Sequence, residues 1–213
     1  METAEIDALR RDILEYAVRR KGKIYAPIDH PALADIPSEH GADRFELIAS
    51  HLHSFPSLRT ALDIGTHWGF FAHRLEQRGL EVTAVENMQE YLKFLYRLRS
   101  LYGDRFTVYE KNLFSMQGVL QYDLVLGLNI FHHFIKTKET YCQFLDFLAR
   151  LRCKVMFFQA HSPGEGQMQQ AHRNFAPEAF CEFLIEHSCL NHVQRIGQFR
   201  NRPMFMLTSQ ALH

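Results

Sequence analysis

The chain has 213 residues, 46% of them hydrophobic and 23% charged, with 24 Lys+Arg balancing 24 Asp+Glu to a formal net charge of zero. That is enough chain for one ordinary domain with a sizeable core. The charge balance speaks against general electrostatic capture of nucleic acid, and no stretch approaches the ~18 apolar residues of a membrane-spanning helix. Thirteen histidines are scattered along the sequence, as surface composition rather than as a switch. The segment Met1–Asp7 is acidic and lacks the basic-then-apolar form of a secretion signal. Cys142, Cys153, Cys181 and Cys189 form no Cys-x-x-Cys pair and have no tight histidine spacing. They read as reduced, mostly buried thiols of a cytoplasmic protein, with no metal site expected.

Residues 3–22 carry Ile6, Leu9, Ile13, Leu14, Tyr16 and Ala17 at helical spacing, ending in Arg19-Arg20-Lys21 and a stop at Gly22. Residues 23–42 hold three prolines and a glycine and predict an ordered loop or lid. A helix over Asp43–Phe55 completes an N-terminal segment, 1–57. From Arg59 the pattern alternates regularly. Strands are predicted at Thr60–Ile64, Glu81–Val85, Phe106–Tyr109, Tyr122–Leu128 and Val155–Gln159, with helices at Phe70–Arg78, Met88–Leu101 and Tyr141–Leu151. A helix at Pro177–Glu186 then leads to two strands, His192–Gln198 and Pro203–Thr208. The domain is expected over 58–213, with no internal repeat.

The most informative stretch runs from Ala61 to Phe71. A short apolar strand ends near Asp63, passes Gly65 and Gly69, and enters a helix. The next strand delivers Glu86, twenty-one residues after Gly65. Strand, glycine turn, helix, strand and acid is the layout of a nucleoside-binding βαβ unit. The glycines let backbone approach a ligand, and the acid can accept hydrogen bonds from a ribose diol. An adenosine-bearing cofactor is therefore expected. His67 and Trp68 sit where a pyrophosphate would need small residues, and Asp63 suits an ammonium group better than a phosphate.

An Asp-x-Gly-x-x-x-Gly turn with an acid ending the next strand resembles the class I S-adenosylmethionine-dependent methyltransferases. His67 replaces the middle glycine of that family's usual first motif. The resemblance spans about residues 58–210. It implies an α/β fold with a doubly wound, seven-stranded, mostly parallel sheet, an antiparallel last strand, and S-adenosylmethionine as cofactor. On this reading Asp63, Gly65, Thr66, His67 and Gly69 surround the methionine half. Glu86 holds the ribose, and Asn87 and Met88 lie beside the adenine. Asn112 and Leu113 lie where the family meets the adenine amino group, and Asn112 could equally be a turn residue. Leu128, ending the fourth strand, joins this set. Phe70 and Phe71 read as core.

His132 and His133, in Gly127–Phe134, follow the fourth strand at the edge where a methyl acceptor would lie. A neutral imidazole there could take a proton from a hydroxyl, or the pair could only shape the pocket. His161–Gly166 follows the fifth strand on the same edge. Tyr25, Pro27, Asp29, Arg44-Phe45 and the Phe-His-His run are together similar to methyltransferase domains of bacterial surface-polysaccharide enzymes, including O-antigen ones. That implies Tyr25 and Arg44 cover the cofactor. Arg44, or Lys21 with Lys23, could also clamp an anionic acceptor. The expected reaction is O-methylation of a small molecule or glycan, on a sugar hydroxyl or a phosphate. An RNA or protein methyltransferase, or an inactive cofactor-binding module, are the alternatives.

Overall fold

In the computed structural model residues 3–210 are described. The outermost residues of both expected segments, Met1 and Glu2 of 1–57 and 211–213 of 58–213, lie outside the described residues. Helix α1 spans Thr3–Val18 and α2 spans Asp43–Leu52. Then follow β1 (Thr60–Ile64), α3 (Phe70–Glu76), β2 (Glu81–Val85), α4 (Gln89–Tyr102) and β3 (Thr107–Tyr109). The second half contains β4 (Leu124–Leu128), a short α5 (Phe131–Phe134), α6 (Lys138–Arg150), β5 (Val155–Gln159), α7 (Pro177–His187), β6 (His192–Phe199) and β7 (Arg202–Thr208). These seven strands form one sheet in the order β3-β2-β1-β4-β5-β7-β6. Strands β1 to β5 pair in parallel, and β7 runs antiparallel to both β5 and β6. The chain reverses its direction of travel across the sheet between β1 and β4, which opens a crevice at their carboxyl ends.

Burial on both faces explains why the central strands are continuous apolar runs. Along β5, Met156 and Phe158 pack on the α6–α7 side, while Val155 and Phe157 pack on the α2–α3 side. A third cluster joins Leu9, Ile13 and Tyr16 of α1 with Ile24, Ile28, Leu33 and Ile36, and closes over Trp68, Phe94 and Leu98. Alpha4 therefore packs on the sheet through Leu95 and on the N-terminal segment through Phe94 and Leu98. Residues 23–42 hold no regular element beyond one bridge, Ile24–Ser38, yet four of their side chains are core.

The structure departs from the sequence reading at several element ends and in one short helix. Helix α1 stops at Val18, because Lys21 and Gly22 take left-handed backbone (φ 58° and 77°). Helix α6 starts earlier than Tyr141, since the Thr137 hydroxyl accepts from Thr140 N and caps it. Alpha5 is a four-residue turn that periodicity does not reveal. The β6–β7 hairpin turns through Arg200 and Asn201, both at positive φ. Among the described residues no helix is long and apolar enough to cross a membrane.

Candidate functional site

The turn after β1 is tied to β2 by its backbone. Gly65 N and Thr66 N both donate to Val85 O, at 2.9 and 3.0 Å. Gly65 has φ +70°, and a Cβ there would lie 2.9 Å from Ile130 Cδ1, so only glycine fits without strain. His67 also takes a left-handed conformation, φ 58°. This aims its N–H at Glu86 Oε2, 3.0 Å away. Asn87 N and Met88 N donate to Glu86 Oε1, each at 2.9 Å. Three of roughly four acceptor positions on the carboxylate are thus already taken. Glu86 therefore locks the glycine turn to β2 and keeps about one lone pair for a ligand hydroxyl. Burial raises its pKa, against those three N–H groups.

Asp63 is buried, and burial raises its pKa to about 6, opposed by the Thr66 hydroxyl, which donates at 2.5 Å. A cavity of about 530 Å³ opens between this turn, the end of β4 and the N-terminal segment. Of the residues singled out in the sequence, Tyr25, Asp63, Gly65, Thr66, His67, Glu86, Asn87, Met88, Asn112, Leu113, Leu128 and His133 line it. Gly69, Arg44 and His132 do not. Gly69 instead caps α3 at φ +85°, with Phe106 3.2 Å from the position of a Cβ. Asn112 Oδ1 accepts from Phe114 N at 3.0 Å, so its turn role is met and one lone pair remains. Phe70 and Phe71 are core, as read, and also reach the cavity wall.

Arg44 stands behind that wall, 1% exposed, stacked on Tyr25 and Phe71 with ring distances of 5.4 and 5.3 Å. Its Nη1 donates to Gln159 Oε1 at 3.2 Å, while Nε and Nη2 have no partner. Among the described residues no carboxylate pairs with it, although its field lowers the pKa of Asp63. Burying a guanidinium without its counterion is costly. The arrangement fits an anion arriving from outside the chain.

The two adjacent histidines separate. His133 lies on the cavity rim, exposed, with Lys136 Nζ 3.3 Å from its Nδ1. Desolvation and then the Lys136 charge lower its pKa to about 4. His132 is 3% exposed and faces the interior, its ring 5.7 Å from that of His161. Burial, then the His133 charge, lowers it to about 3. Consecutive residues of a helix point ~100° apart, so only one could face the ligand. Of the two histidines expected near the acceptor position, His133 lines the cavity and His132 does not.

Several lining residues carried no assignment from sequence. Asn129 (φ 57°) and Ile130 follow β4 directly, a place the strand-end rule could have flagged. Tyr91, whose ring lies 4.2 Å from that of His67, arrives through tertiary packing. A chain of polar contacts closes the roof. Asn129 Nδ2 donates to Tyr25 Oη at 3.2 Å, and Arg202 Nη1 donates to Asn129 Oδ1 at 2.9 Å. Arg202 also grips Glu165 at 2.8 and 2.5 Å. Against the desolvation of burial, Ser162 N–H, Gln167 and Arg202 hold Glu165 down to about 2.

No protein-family model and no curated protein matches the chain. Solved structures do. WbdD, a bifunctional kinase-methyltransferase, superposes with a TM-score of 0.69 at 20% identity, over 92% of this chain and 48% of that one. The N-methyltransferase NodS from Bradyrhizobium japonicum WM9 gives 0.57 at 14% identity, over 78% and 92% of the two chains. Magnesium protoporphyrin IX methyltransferase from Synechocystis PCC 6803, solved with bound S-adenosylmethionine, gives 0.55 at 15% identity, over 79% and 77%. The chain spans about half the length of WbdD. With its strand order, antiparallel last strand and glycine turn at the crevice, the chain has the fold of the class I S-adenosylmethionine-dependent methyltransferases.

Proposed function

We propose that this chain is an S-adenosylmethionine-dependent methyltransferase acting on an oxygen of a small molecule or glycan, a sugar hydroxyl or a phosphate. The observation that carries the reading is the buried acidic pair Glu86 and Asp63 on the cavity, with the Arg44 charge, unpaired among the described residues, directly behind its wall. Glu86 and Asp63 lie by the glycine turn, and Arg44 lies behind the wall with two unpartnered nitrogens. An adenosyl amino acid presents a diol, an ammonium and a carboxylate. Glu86 would accept from the ribose, Asp63 would face the ammonium, and the field of Arg44, from behind the wall of Tyr25 and Phe71, would attract the carboxylate. Asn112 Oδ1 would accept from the adenine amino group, with Leu113 and Met88 packing beside the ring.

When bound, S-adenosylmethionine supplies an electrophilic methyl group on a sulfonium. The protein's part is alignment and a fitted electrostatic site. His133 stays neutral through the physiological range, since its pKa is lowered to about 4. It can therefore accept a hydrogen bond from an acceptor hydroxyl and orient it, but it is a weak base. Lys136, beside it, would steady an acceptor phosphate oxygen. His132 supports this loop from inside.

The test is methyl transfer from tritiated S-adenosylmethionine to a panel of free sugars, sugar phosphates and glycans, with RNA and protein as controls. Label in an alkali-stable ether or phosphate ester is the expected result. Label only in RNA or protein would overturn the acceptor class, and cofactor binding without label in any acceptor would favour a regulatory module.

A further inference from the structure

Cys153 and Cys189 lie 36 residues apart in sequence and meet at the opposite end of the sheet from the cavity. Cys153 sits between the two-residue strand Leu151–Arg152 and β5, and Cys189 follows the end of α7. Cys153 N donates to Cys189 Sγ at 3.2 Å, and Cys189 Sγ donates back to Cys153 O at 3.4 Å. Both neighbourhoods are pinned. Tyr122 N donates to Arg152 O and Lys154 N to Asp123 O, each at 3.0 Å, while Ser188 Oγ donates to Leu184 O at 2.6 Å. The Cys189 thiol is therefore held against the backbone of Cys153, close enough for the two side chains to interact. Cys153 is buried, whereas Cys189 is half-buried. The other two cysteines do not share this arrangement. Cys142 is exposed on α6, and Cys181 is 1% exposed within α7.

We propose that Cys153 and Cys189 form a redox-active dithiol, oxidised by a hydroperoxide to an intramolecular disulfide. Cys189 is the nucleophile and Cys153 the resolving thiol. The hydrogen bond with the Cys153 side chain, then the Cys153 N–H and the Arg152 charge, lower the Cys189 thiol to about 6 against its desolvation. The same contact, with burial, holds Cys153 as a thiol. The Cys189 thiolate attacks the peroxide O–O bond, giving a sulfenic acid and hydroxide. The Cys153 thiol then displaces that hydroxyl as water, forming the S–S bond. Two thiols lose two electrons in all, and one hydrogen peroxide becomes two waters. The bond closes a segment that contains β5, the loop beside the cavity and α7, and so narrows the unfolded ensemble. This inference does not depend on the reaction proposed above.

The experiment treats the reduced full chain with stoichiometric hydrogen peroxide, blocks the remaining thiols, and maps disulfides by mass spectrometry. The expected result is a Cys153–Cys189 cross-link, free thiols falling from four to two, and a thermal midpoint that rises by several degrees and returns on reduction. Cys153→Ser should leave a sulfenic acid at Cys189 that a dimedone probe traps. Cys189→Ser should leave Cys153 alkylatable after the same treatment. Oxidation confined to Cys142, cross-links between molecules, or equal peroxide reactivity of Cys153 in Cys189→Ser would overturn the proposal.

Discussion

The two ends of the cavity are built in opposite ways. The end formed by the glycine turn comes from one continuous stretch, Asp63–Met88, whose backbone amides close on its own carboxylate, Glu86. The roof and the rim are assembled from distant segments. Tyr25 meets Asn129, Asn129 meets Arg202, and Arg202 meets Glu165, over separations of 104, 73 and 37 residues. A site of the first kind is set by local geometry and tolerates little change. A site of the second kind can be retuned one contact at a time, as suits the part of a cavity that chooses an acceptor.

The comparison breaks most readily at Glu86. Glu86→Ala removes the ribose acceptor and leaves three backbone amides unpaired in a buried turn. Calorimetry should show cofactor binding weakened about 10³-fold, ~4 kcal/mol. Asp63 gives the next largest effect, read through pH. Its carboxyl titrates near 6 in the folded chain against an ordinary 3.8. The folded state thus binds more protons between those values, and stability falls as pH rises through that window. Asp63→Asn removes the effect. The variant's thermal stability should gain on the parent by up to ~3 kcal/mol between about pH 4 and pH 7. Glu165, at the roof, has the opposite sign. Its pKa is held at about 2, below an ordinary 4.5, so its stabilisation is present above 4.5 and fades as pH falls toward 2.

Arg44→Met sharpens the contrast by separating binding from folding. The variant removes a buried charge that lacks a carboxylate, so unfolding should show equal or greater stability. Affinity for S-adenosylmethionine should drop ~30-fold, about 2 kcal/mol, while 5′-methylthioadenosine, which has no carboxylate, binds unchanged. The smallest effect belongs to the rim. His133→Ala should lower kcat ~10-fold with cofactor affinity intact. His132→Ala should lower the thermal midpoint, because that ring is packed inside.

What was legible in the sequence follows the same division. The order of strands, the glycine turn and Glu86 rest on spacing within about thirty residues, so periodicity and turn chemistry reveal them. The seven-stranded sheet and its antiparallel last strand came through resemblance, and the sheet has both. Arg44 enters through resemblance, as a cofactor cover or an anion clamp, and nothing local announces its burial under Tyr25 and Phe71. His132 and His133 are indistinguishable as neighbours, and only the packing of α5 against Phe144 and Phe158 turns one inward. The earlier start of α6 is readable from Thr137 and Thr140, a local cap that the apolar pattern alone does not show. Tyr91 needed the third core cluster, which joins α1 to α4 across the sequence.

The central claim is that the cavity takes S-adenosylmethionine, and the most direct measurement is thermal unfolding with S-adenosylmethionine, S-adenosylhomocysteine and NAD. At a hundred times the dissociation constant a bound ligand stabilises by about 2.7 kcal/mol, or roughly 5–10 °C for a chain of this size. The account predicts that shift with the two sulfur compounds and none with NAD. A shift with NAD alone, or no shift with any of the three, would contradict it.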